Sequence, residues 1–210
     1  MEFLISRLKE NGMLRFPRVE EAFRAVPRIH FVPEELREEA YEDYPLPLGF
    51  GATISQPTTV AFMLEKLDVR LGQKVLDIGS GSGWTTALLA HLVGPKGRVI
   101  GLEIVPELVT LGQRNLAKYY FLIRANKQIV ESAEIQQAEK GAVGLPRVAP
   151  FDRILVSASA EEFPRELMDQ LKIGGRMVTP IRDSIWVVEK TADEKPTITK
   201  FHGFAFVPLV

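Results

Sequence analysis

The stretch 74–84, KVLDIGSGSGW, places an apolar strand directly before a glycine-rich turn and the start of a helix. Asp77 stands near the end of the apolar run, and glycines follow at positions 79, 81 and 83. Glycine reaches backbone angles that are closed to other residues and carries no Cβ. A ligand can therefore lie directly against the main chain and the helix N-terminus. The stretch predicts a cradle for a nucleotide cofactor.

The spacing of these glycines separates two classes of cofactor site. Dinucleotide-binding turns carry G-x-G-x-x-G, whereas this turn reads G-x-G-x-G, which disfavours nicotinamide-dependent oxidoreduction. A second strand is predicted over 98–102, and Glu103 follows it. An acid at that strand's tip can accept hydrogen bonds from both ribose hydroxyls of an adenosine. The turn, with Asp77 before it, resembles motif I of the class I S-adenosylmethionine methyltransferases.

Strands and helices alternate along the chain, which predicts an α/β fold of the Rossmann-like, doubly wound type. We expect a mainly parallel sheet with helices on both faces and an antiparallel strand near one edge. The predicted helices span 2–11, 18–26, 58–67, 85–90, 106–118 and 161–172. The predicted strands span 75–78, 98–102, 129–137, 151–158, 176–181, 184–190 and 197–206.

One domain over residues 1–210 is expected from the length. Within it, residues 1–50 form an N-terminal helical segment that wraps over the core. Residues 51–190 form the cofactor-binding core, and residues 191–210 contribute a C-terminal strand.

The amino-acid composition limits which partners and which cellular compartment are expected for this chain. A net charge of −1 argues against a nucleic-acid partner, because backbone phosphates are usually met by a basic surface. The absence of cysteine excludes disulfides and thiolate metal sites, and no metal is expected. The charged residues among the first fifteen argue against a signal peptide, and no apolar stretch approaches the roughly 20 residues that span a bilayer. We therefore expect a cytoplasmic protein without a membrane partner. A monomer is the expected state of association.

Residues 51–57, Gly-Ala-Thr-Ile-Ser-Gln-Pro, lead into a helix and are called the serine loop below. Pro57 suits the first helical turn, so Ser55 or Gln56 lies at or just before the helix start. The free amides there favour an anion. Alternatively, Ser55 is a plain N-cap, worth about 1 kcal/mol.

Small residues end the strand predicted over 151–158. Ser157 and Ala158 leave room at its carboxyl end, where ligands bind in open parallel sheets. Ordinary packing between a helix and the sheet is the alternative explanation for their size.

Several stretches together resemble the protein-L-isoaspartate O-methyltransferases, which repair isomerised aspartyl residues. They are AFRAVPRIHFVPEELREEAYEDYPLPLGFGATISQPTTVAFMLEKL, VLDIGSGSGWTTALLA, VIGLEIVPELV, APFDRILVSASAEEFPRELMDQLKIGGRMVTPI and the terminal FVPL. They cover most of the chain in family order. The TISQP segment is the most specific of them, because generic methyltransferases do not carry it.

The resemblance implies S-adenosyl-L-methionine as cofactor, S-adenosyl-L-homocysteine as product, and isoaspartyl proteins and peptides as partners. It makes Ser55 the catalytic residue, close to the methyl acceptor, and places substrate contacts at Ile54, Ser55, Gln56, Ser157 and Ala158. It assigns cofactor contacts to the serine loop and its helix (Ala52, Thr53, Ile54, Ser55, Val60), to the turn (Asp77, Gly79, Ser80, Gly81, Ser82, Gly83) and to Glu103.

One stretch departs from the family pattern. Members usually carry Gly-Asp-Gly before a Gly-x-Pro segment, with the aspartate facing the adenine amino group. Here residues 138–146 read Ala-Glu-Lys-Gly-Ala-Val-Gly-Leu-Pro, without an aspartate. Glu139 could replace it with a shift of one position, or Lys140 could occupy the site and lose the contact. The loss of one such polar contact costs about 1 kcal/mol and would not abolish cofactor binding.

The implied reaction is in-line transfer of the sulfonium methyl to the carboxylate of an L-isoaspartyl residue. A carboxylic acid with a pKa of roughly 4 is ionised at neutral pH, so no strong general base is needed. Ser55 would hydrogen-bond one carboxylate oxygen and would not be a covalent nucleophile. A hydrolase is disfavoured, because the letters GSGSG lack the elbow context and none of His30, His91 and His202 stands where a partner base would.

Two alternatives remain open at this point. A class I methyltransferase acting on another acceptor, RNA or a small molecule, would share the cofactor turn but would not require the TISQP segment. A non-catalytic nucleotide-binding module would use the same cradle without transferring a methyl group.

Overall fold

The computed structural model describes residues 1–124, 132–193 and 195–206. The helices are α1 (Glu2–Glu10), α2 (Pro17–Ala25), α3 (Pro57–Leu67), α4 (Trp84–Val93), α5 (Pro106–Arg124) and α6 (Arg165–Asp169), with 3-10 turns at Arg28–His30, Glu34–Glu39 and Pro146–Val148. The strands are β1 (Leu46–Gly49), β2 (Ala52–Ile54), β3 (Lys74–Ile78), β4 (Arg98–Glu103), β5 (Ala133–Gln137), β6 (Phe151–Val156), β7 (Leu171–Ile181), β8 (Ser184–Glu189) and β9 (Thr197–His202).

Seven strands form the central sheet, in the order β5-β4-β3-β6-β7-β8-β9. The pairs from β5 to β7 are all parallel, whereas β8 runs antiparallel to both of its neighbours. This confirms the expected mainly parallel sheet with an antiparallel strand near one edge.

The strand order reverses direction next to β3. The chain adds β4 and β5 on one side of β3 and then returns to place β6 on the other side. In such sheets the loops that follow the two central strands diverge, and a crevice opens at their carboxyl ends. Ile78 pairs with Val156, so these two strands end side by side. The topology therefore puts the turn after β3 next to the loop after β6.

Apolar residues fill both faces of this sheet. Successive residues Val75 and Leu76 of β3 belong to two different buried clusters, as the alternation of side chains along a strand requires. The larger cluster contains side chains of α1 to α5, and the smaller one contains Leu167 of α6 and Leu145. Helices thus cover both faces, with most of the helical mass on one of them.

The N-terminal segment packs onto the helix that follows the glycine turn. The indole Nε1 of Trp84, the first residue of α4, donates to the carbonyl of Val26 at 3.1 Å, and its ring contacts Phe23 edge to face at 5.6 Å. The hairpin formed by β1 and β2 lies above the turn, since a Cβ built on Gly81 would stand 3.6 Å from Leu48. The wrapping segment therefore contacts the cofactor turn directly.

The largest error in the predicted elements is the helix over 161–172. The helix there is only α6, because Pro164 disfavours helical backbone in the residue before it. From Leu171 onward the backbone pairs with β6 and then β8, and this pairing overrides local helix propensity.

The hairpin of β1 and β2 is absent from the predicted elements, and the remaining differences concern element ends. α5 extends beyond the predicted 118 to Arg124, with Tyr119 and Tyr120 buried. β6 ends at Val156 and β9 at His202, short of the predicted 158 and 206. The part of the predicted strand 129–137 that precedes 132, and most of the terminal FVPL, lie outside the described residues.

Among the described residues, no helix combines the length and the apolar character needed to cross a bilayer.

Gly83 offers a test of how tightly the turn is packed. We expect Gly83→Ala to lower the free energy of unfolding by about 3 kcal/mol, because a Cβ there would stand 3.0 Å from the Gly112 carbonyl oxygen at a φ of +83°. Gly174→Ala is the matched control: its φ is +76°, nothing lies within 4 Å, and the conformational cost alone is about 1 kcal/mol. Denaturant unfolding measures both, and equal losses would contradict the packing argument.

Candidate active site

The three glycines of the turn have different roles. All have positive φ, at +77° for Gly79, +50° for Gly81 and +83° for Gly83. Gly79 and Gly81 line the cleft, and a Cβ on either would meet protein atoms only at ordinary van der Waals distances of 3.6 Å or more, whereas Gly83 packs against α5. The amides of Gly79 and Ser80 both donate to the Leu102 carbonyl, which ties the turn to the end of β4. The turn is thus a cradle whose first half is open.

Asp77 lies fully buried at the end of β3. Its Oδ2 accepts hydrogen bonds from the hydroxyls of Thr85 at 2.8 Å and Thr86 at 2.6 Å, in the first turn of α4. Its Oδ1 is buried and accepts no hydrogen bond from the described residues. Burial raises the pKa of Asp77 from 3.8 to about 6, although the Thr86 and Thr85 hydroxyls oppose the shift. A buried carboxylate with one oxygen left without a hydrogen bond, next to a cradle, suits a ligand ammonium group.

Glu103 closes the other side of the cradle. Its side chain lies at the end of β4 and is only 7% exposed. One carboxylate oxygen accepts from the amide of Gly81 at 2.9 Å, and the other accepts from the amides of Ile104 and Val105. The Glu103 carboxylate is therefore in direct contact with the turn, and its role as an acceptor for ribose hydroxyls stays a prediction.

The serine loop forms the opposite wall of the same cleft. The lining residues are Thr53, Ile54, Ser55, Gly79, Ser80, Gly81, Ser82, Trp84, Thr85 and Ser157. Two segments that are about 25 positions apart in the sequence therefore face one another across a single opening. The fold brings the predicted methyl-acceptor loop and the predicted cofactor turn together.

Ser55 is not a helix cap. The N-cap of α3 is Gln56, no side-chain cap bond is made, and Pro57 begins the helix as predicted. Asp43, 15 residues upstream, instead accepts hydrogen bonds at this helix start, from the Thr58 amide at 2.9 Å and from the Thr58 hydroxyl at 2.6 Å. The capping alternative for Ser55 is therefore wrong, and Ser55 lines the cleft instead.

Ser157 and Ala158 stand where β6 ends beside β3. The Ser157 amide donates to the Ile78 carbonyl at 2.8 Å, and Ser157 lines the cleft. A Cβ on Gly79 would lie 3.8 Å from Ala158, so a small residue at 158 keeps the turn accessible.

The other predicted contacts lie further out. Val60 is buried within α3 and does not line the cleft. Ala52 and Gln56 flank the cleft residues of the serine loop. Glu139 follows the end of β5 with its side chain 72% exposed, and it lies 4.0 Å from Arg147.

Arg28 is a residue of the site region that the motif analysis missed. It is 1% exposed, and its guanidinium donates to backbone carbonyls of two segments: Ala40, Glu42, Tyr44, Ile54 and Ser55. A charged residue between the apolar neighbours Pro27 and Ile29 is the signal that could have revealed it.

The serines of the turn have no histidine beside them. Ser80 and Ser82 are each 3% exposed, whereas His91 lies in the last turn of α4 and His202 bonds Ser184 at the end of β9. In the described part of the chain, no three His, Cys, Asp or Glu side chains gather into a possible metal site.

The residues of the cradle fit an adenosyl-amino acid. Gly79 and Gly81 line the cleft without side chains, the buried Asp77 Oδ1 and Ser80 Oγ form no hydrogen bond of normal geometry with the described residues, and the Glu103 carboxylate lies beside the turn, where it would accept ribose hydroxyls. The fold and this site together define an S-adenosylmethionine-dependent methyltransferase.

Comparisons with known proteins narrow the class. The family model described as protein-L-isoaspartate(D-aspartate) O-methyltransferase (PCMT) matches residues 1–210. A protein of Methanopyrus kandleri named protein-L-isoaspartate O-methyltransferase is 47% identical over 213 residues, which is 100% of this chain and 90% of that protein. A protein of the same name from Hyperthermus butylicus is 42% identical, and the alignment covers 99% of this chain and 87% of that protein. The chain belongs to the protein-L-isoaspartate O-methyltransferase family.

Solved structures agree with this assignment. A Plasmodium falciparum structure described as a protein-L-isoaspartate O-methyltransferase in complex with S-adenosyl-L-homocysteine superposes with a TM-score of 0.86 at 26% identity, covering 99% of this chain and 96% of that one. Another protein-L-isoaspartate O-methyltransferase gives a TM-score of 0.85 at 27% identity, covering 100% of this chain and 65% of that one.

The raised pKa of Asp77 makes cofactor binding depend on pH. We expect the Kd for S-adenosyl-L-homocysteine to rise about tenfold between pH 7 and pH 5, because protonation below about pH 6 removes the charge that attracts the ligand ammonium. Isothermal titration calorimetry measures this Kd, and Asp77→Asn should bind the ligand weakly at both pH 7 and pH 5. An unchanged pH dependence in Asp77→Asn would contradict the assignment.

The same shift has a consequence for the protein without ligand. Because the folded-state pKa of Asp77 lies above its ordinary 3.8, the folded state favours the protonated form. Protonation of Asp77 therefore adds to the free energy of unfolding. This contribution is complete below about pH 4 and is lost as the pH rises through about 6.

Proposed function

We propose that this chain transfers the methyl group of S-adenosyl-L-methionine to the carboxylate of L-isoaspartyl residues in damaged proteins and peptides, the first step of their repair. One observation supports this most: the cleft that contains the glycine turn also contains Ser55 of the TISQP segment, the part of the sequence specific to the family. Membership of the family supplies the acceptor class.

The proposed reaction does not require acid or base catalysis by the protein. When bound, the cofactor supplies an electrophilic methyl group: a carboxylate oxygen forms the new bond to carbon as the bond from carbon to sulfur breaks, and a methyl ester and S-adenosyl-L-homocysteine result. A carboxylate is ionised at neutral pH, so no residue has to remove a proton. The rate then depends on alignment and on polar groups that replace the water lost by the nucleophile.

Each wall of the cleft has its own task in this proposal. Ser55 donates its hydroxyl to one carboxylate oxygen of the acceptor and leaves the other free to react. Ser157 and Ala158 flank the acceptor chain from the end of β6. Asp77 and the open half of the turn hold the amino-acid part of the cofactor, and Glu103 accepts the ribose hydroxyls.

Other features of the chain stay predictions. They are one methyltransferase domain over 1–210, a monomeric state, a cytoplasmic location, and an adenine contact from Glu139. The exposure of Glu139 next to β5 leaves its carboxylate accessible to a ligand that extends past Glu103.

Ser55→Ala tests the acceptor site. We expect kcat/KM for an isoaspartyl peptide to fall by about 100-fold, since one oriented donor to the reacting carboxylate is lost. The Kd for S-adenosyl-L-homocysteine should change by no more than about threefold. A methanol-release assay with labelled cofactor measures turnover.

The control in that assay is the same peptide with a normal aspartyl residue. The wild-type protein should methylate the isoaspartyl peptide and leave its aspartyl twin unmodified. Equal methylation of both peptides, or of neither, would overturn the proposed acceptor, and full activity of Ser55→Ala would remove Ser55 from the mechanism.

A pair of glutamate variants tests the cofactor contacts. We expect Glu103→Gln to weaken S-adenosyl-L-homocysteine binding by about 10- to 100-fold, because hydrogen bonds to a charged acceptor contribute about 1.5–3 kcal/mol. Glu139→Ala should weaken it by about fivefold, as expected for the loss of one exposed polar contact of about 1 kcal/mol. Calorimetry at fixed pH measures both, and unchanged binding by Glu139→Ala would show that the adenine contact is lost in this chain.

A further inference from the structure

Arg28 binds the backbone of the serine loop from inside the protein. Its Nη2 donates to the Ile54 carbonyl at 3.1 Å and to the Ser55 carbonyl at 3.0 Å. The same nitrogen donates to the Tyr44 carbonyl at 3.1 Å, while Nη1 donates to the carbonyls of Ala40 and Glu42 at 3.1 and 3.3 Å. One side chain therefore connects the wrapping segment to the backbone of Ser55.

The guanidinium also touches the cofactor side of the site. Its central carbon lies 5.5 Å from the centre of the Trp84 ring, within the range of a cation–π contact. Trp84 directly follows the glycine turn, and its indole nitrogen bonds the Val26 carbonyl two residues before Arg28. Arg28 thus contacts both walls of the cleft.

A buried arginine that binds only carbonyls is an expensive way to stabilise a loop. Removing a cation from water costs several kcal/mol, and no carboxylate in the described part of the chain forms an ion pair with Arg28. The negative charge of Asp43 favours the charged form of Arg28. The Asp43 carboxylate itself accepts a hydrogen bond from Thr58 and forms an ion pair with Arg7. Five carbonyls offset the cost only in this one arrangement, so the contact specifies one geometry of the loop.

We propose that Arg28 is a positioning residue for methyl transfer: it fixes the backbone of Ile54 and Ser55 so that the Ser55 hydroxyl stays aimed into the cleft. This inference rests on the proposed function of Ser55. The two terminal nitrogens of the planar guanidinium present four donors in a fixed fork, whereas a lysine ammonium has three donors at one point and cannot reach carbonyls on both sides.

Arg28→Lys tests the proposal, with Arg153→Lys as its matched control. Arg153 also donates to backbone carbonyls, those of Leu67, Asp68 and Asp152, but it lies near the amino end of β6, away from the cleft. We expect kcat for the isoaspartyl peptide to fall about 100-fold in Arg28→Lys, the cost of a displacement of about 1 Å in an aligned site. The Kd for S-adenosyl-L-homocysteine should stay within about threefold.

Arg153→Lys should keep the wild-type kcat even where its melting temperature drops. Equal losses of kcat in the two variants, or no loss in Arg28→Lys, would overturn the proposal. Arg28→Gln is the second variant, and if neither Arg28 variant folds, the residue serves folding and the positioning role is wrong.

Hydrogen exchange separates this inference from the proposed function. In Arg28→Lys, amides of the serine loop should exchange faster than in the wild type, while amides of residues 79–83 keep their wild-type rates. A wild-type protein that methylates no isoaspartyl peptide would refute the proposed function, and the exchange rates would still decide whether Arg28 fixes the loop. Unchanged exchange in the serine loop would overturn the inference.

Discussion

The reversal of strand order beside β3 is the constraint on which the site depends. It places the turn after β3 and the loop after β6 at one edge of the sheet, because parallel strands end on the same side. Gly79 can then lie against Ala158 without a side chain between them. The hairpin of β1 and β2 covers the opening from above and completes the cleft.

The polar groups of the cleft divide into those satisfied by the protein and those left for a ligand. Glu103 accepts three backbone amides, which hold the carboxylate against the turn without using all of its acceptor capacity. Asp77 has one satisfied and one unsatisfied oxygen, and its pKa is raised by burial. An enzyme that only has to orient two substrates can keep such groups rigid in advance, which is where the rate of an alignment-driven transfer originates.

Local pattern was sufficient for the core of the fold. The turn, Asp77 and Glu103 are contiguous with strongly apolar strands, so strand, turn and helix followed from residues within about 30 positions. The helix predicted over 161–172 was wrong because the strand that begins at Leu171 is selected by its partners in the sheet, which local propensity does not record. The hairpin of β1 and β2 was missed for the same reason.

The sequence alone determined the family, the glycine turn and the TISQP segment, because these reside in short motifs whose chemistry is local, whereas the fold placed Ser55 opposite the turn. Only the tertiary structure decided that Ser55 is not a cap, since Asp43 takes that role from 15 positions away. Only it revealed Arg28, whose five carbonyl partners come from two separate segments. Backbone carbonyls leave no trace in a residue pattern, so contacts made to them appear only when the chain is folded.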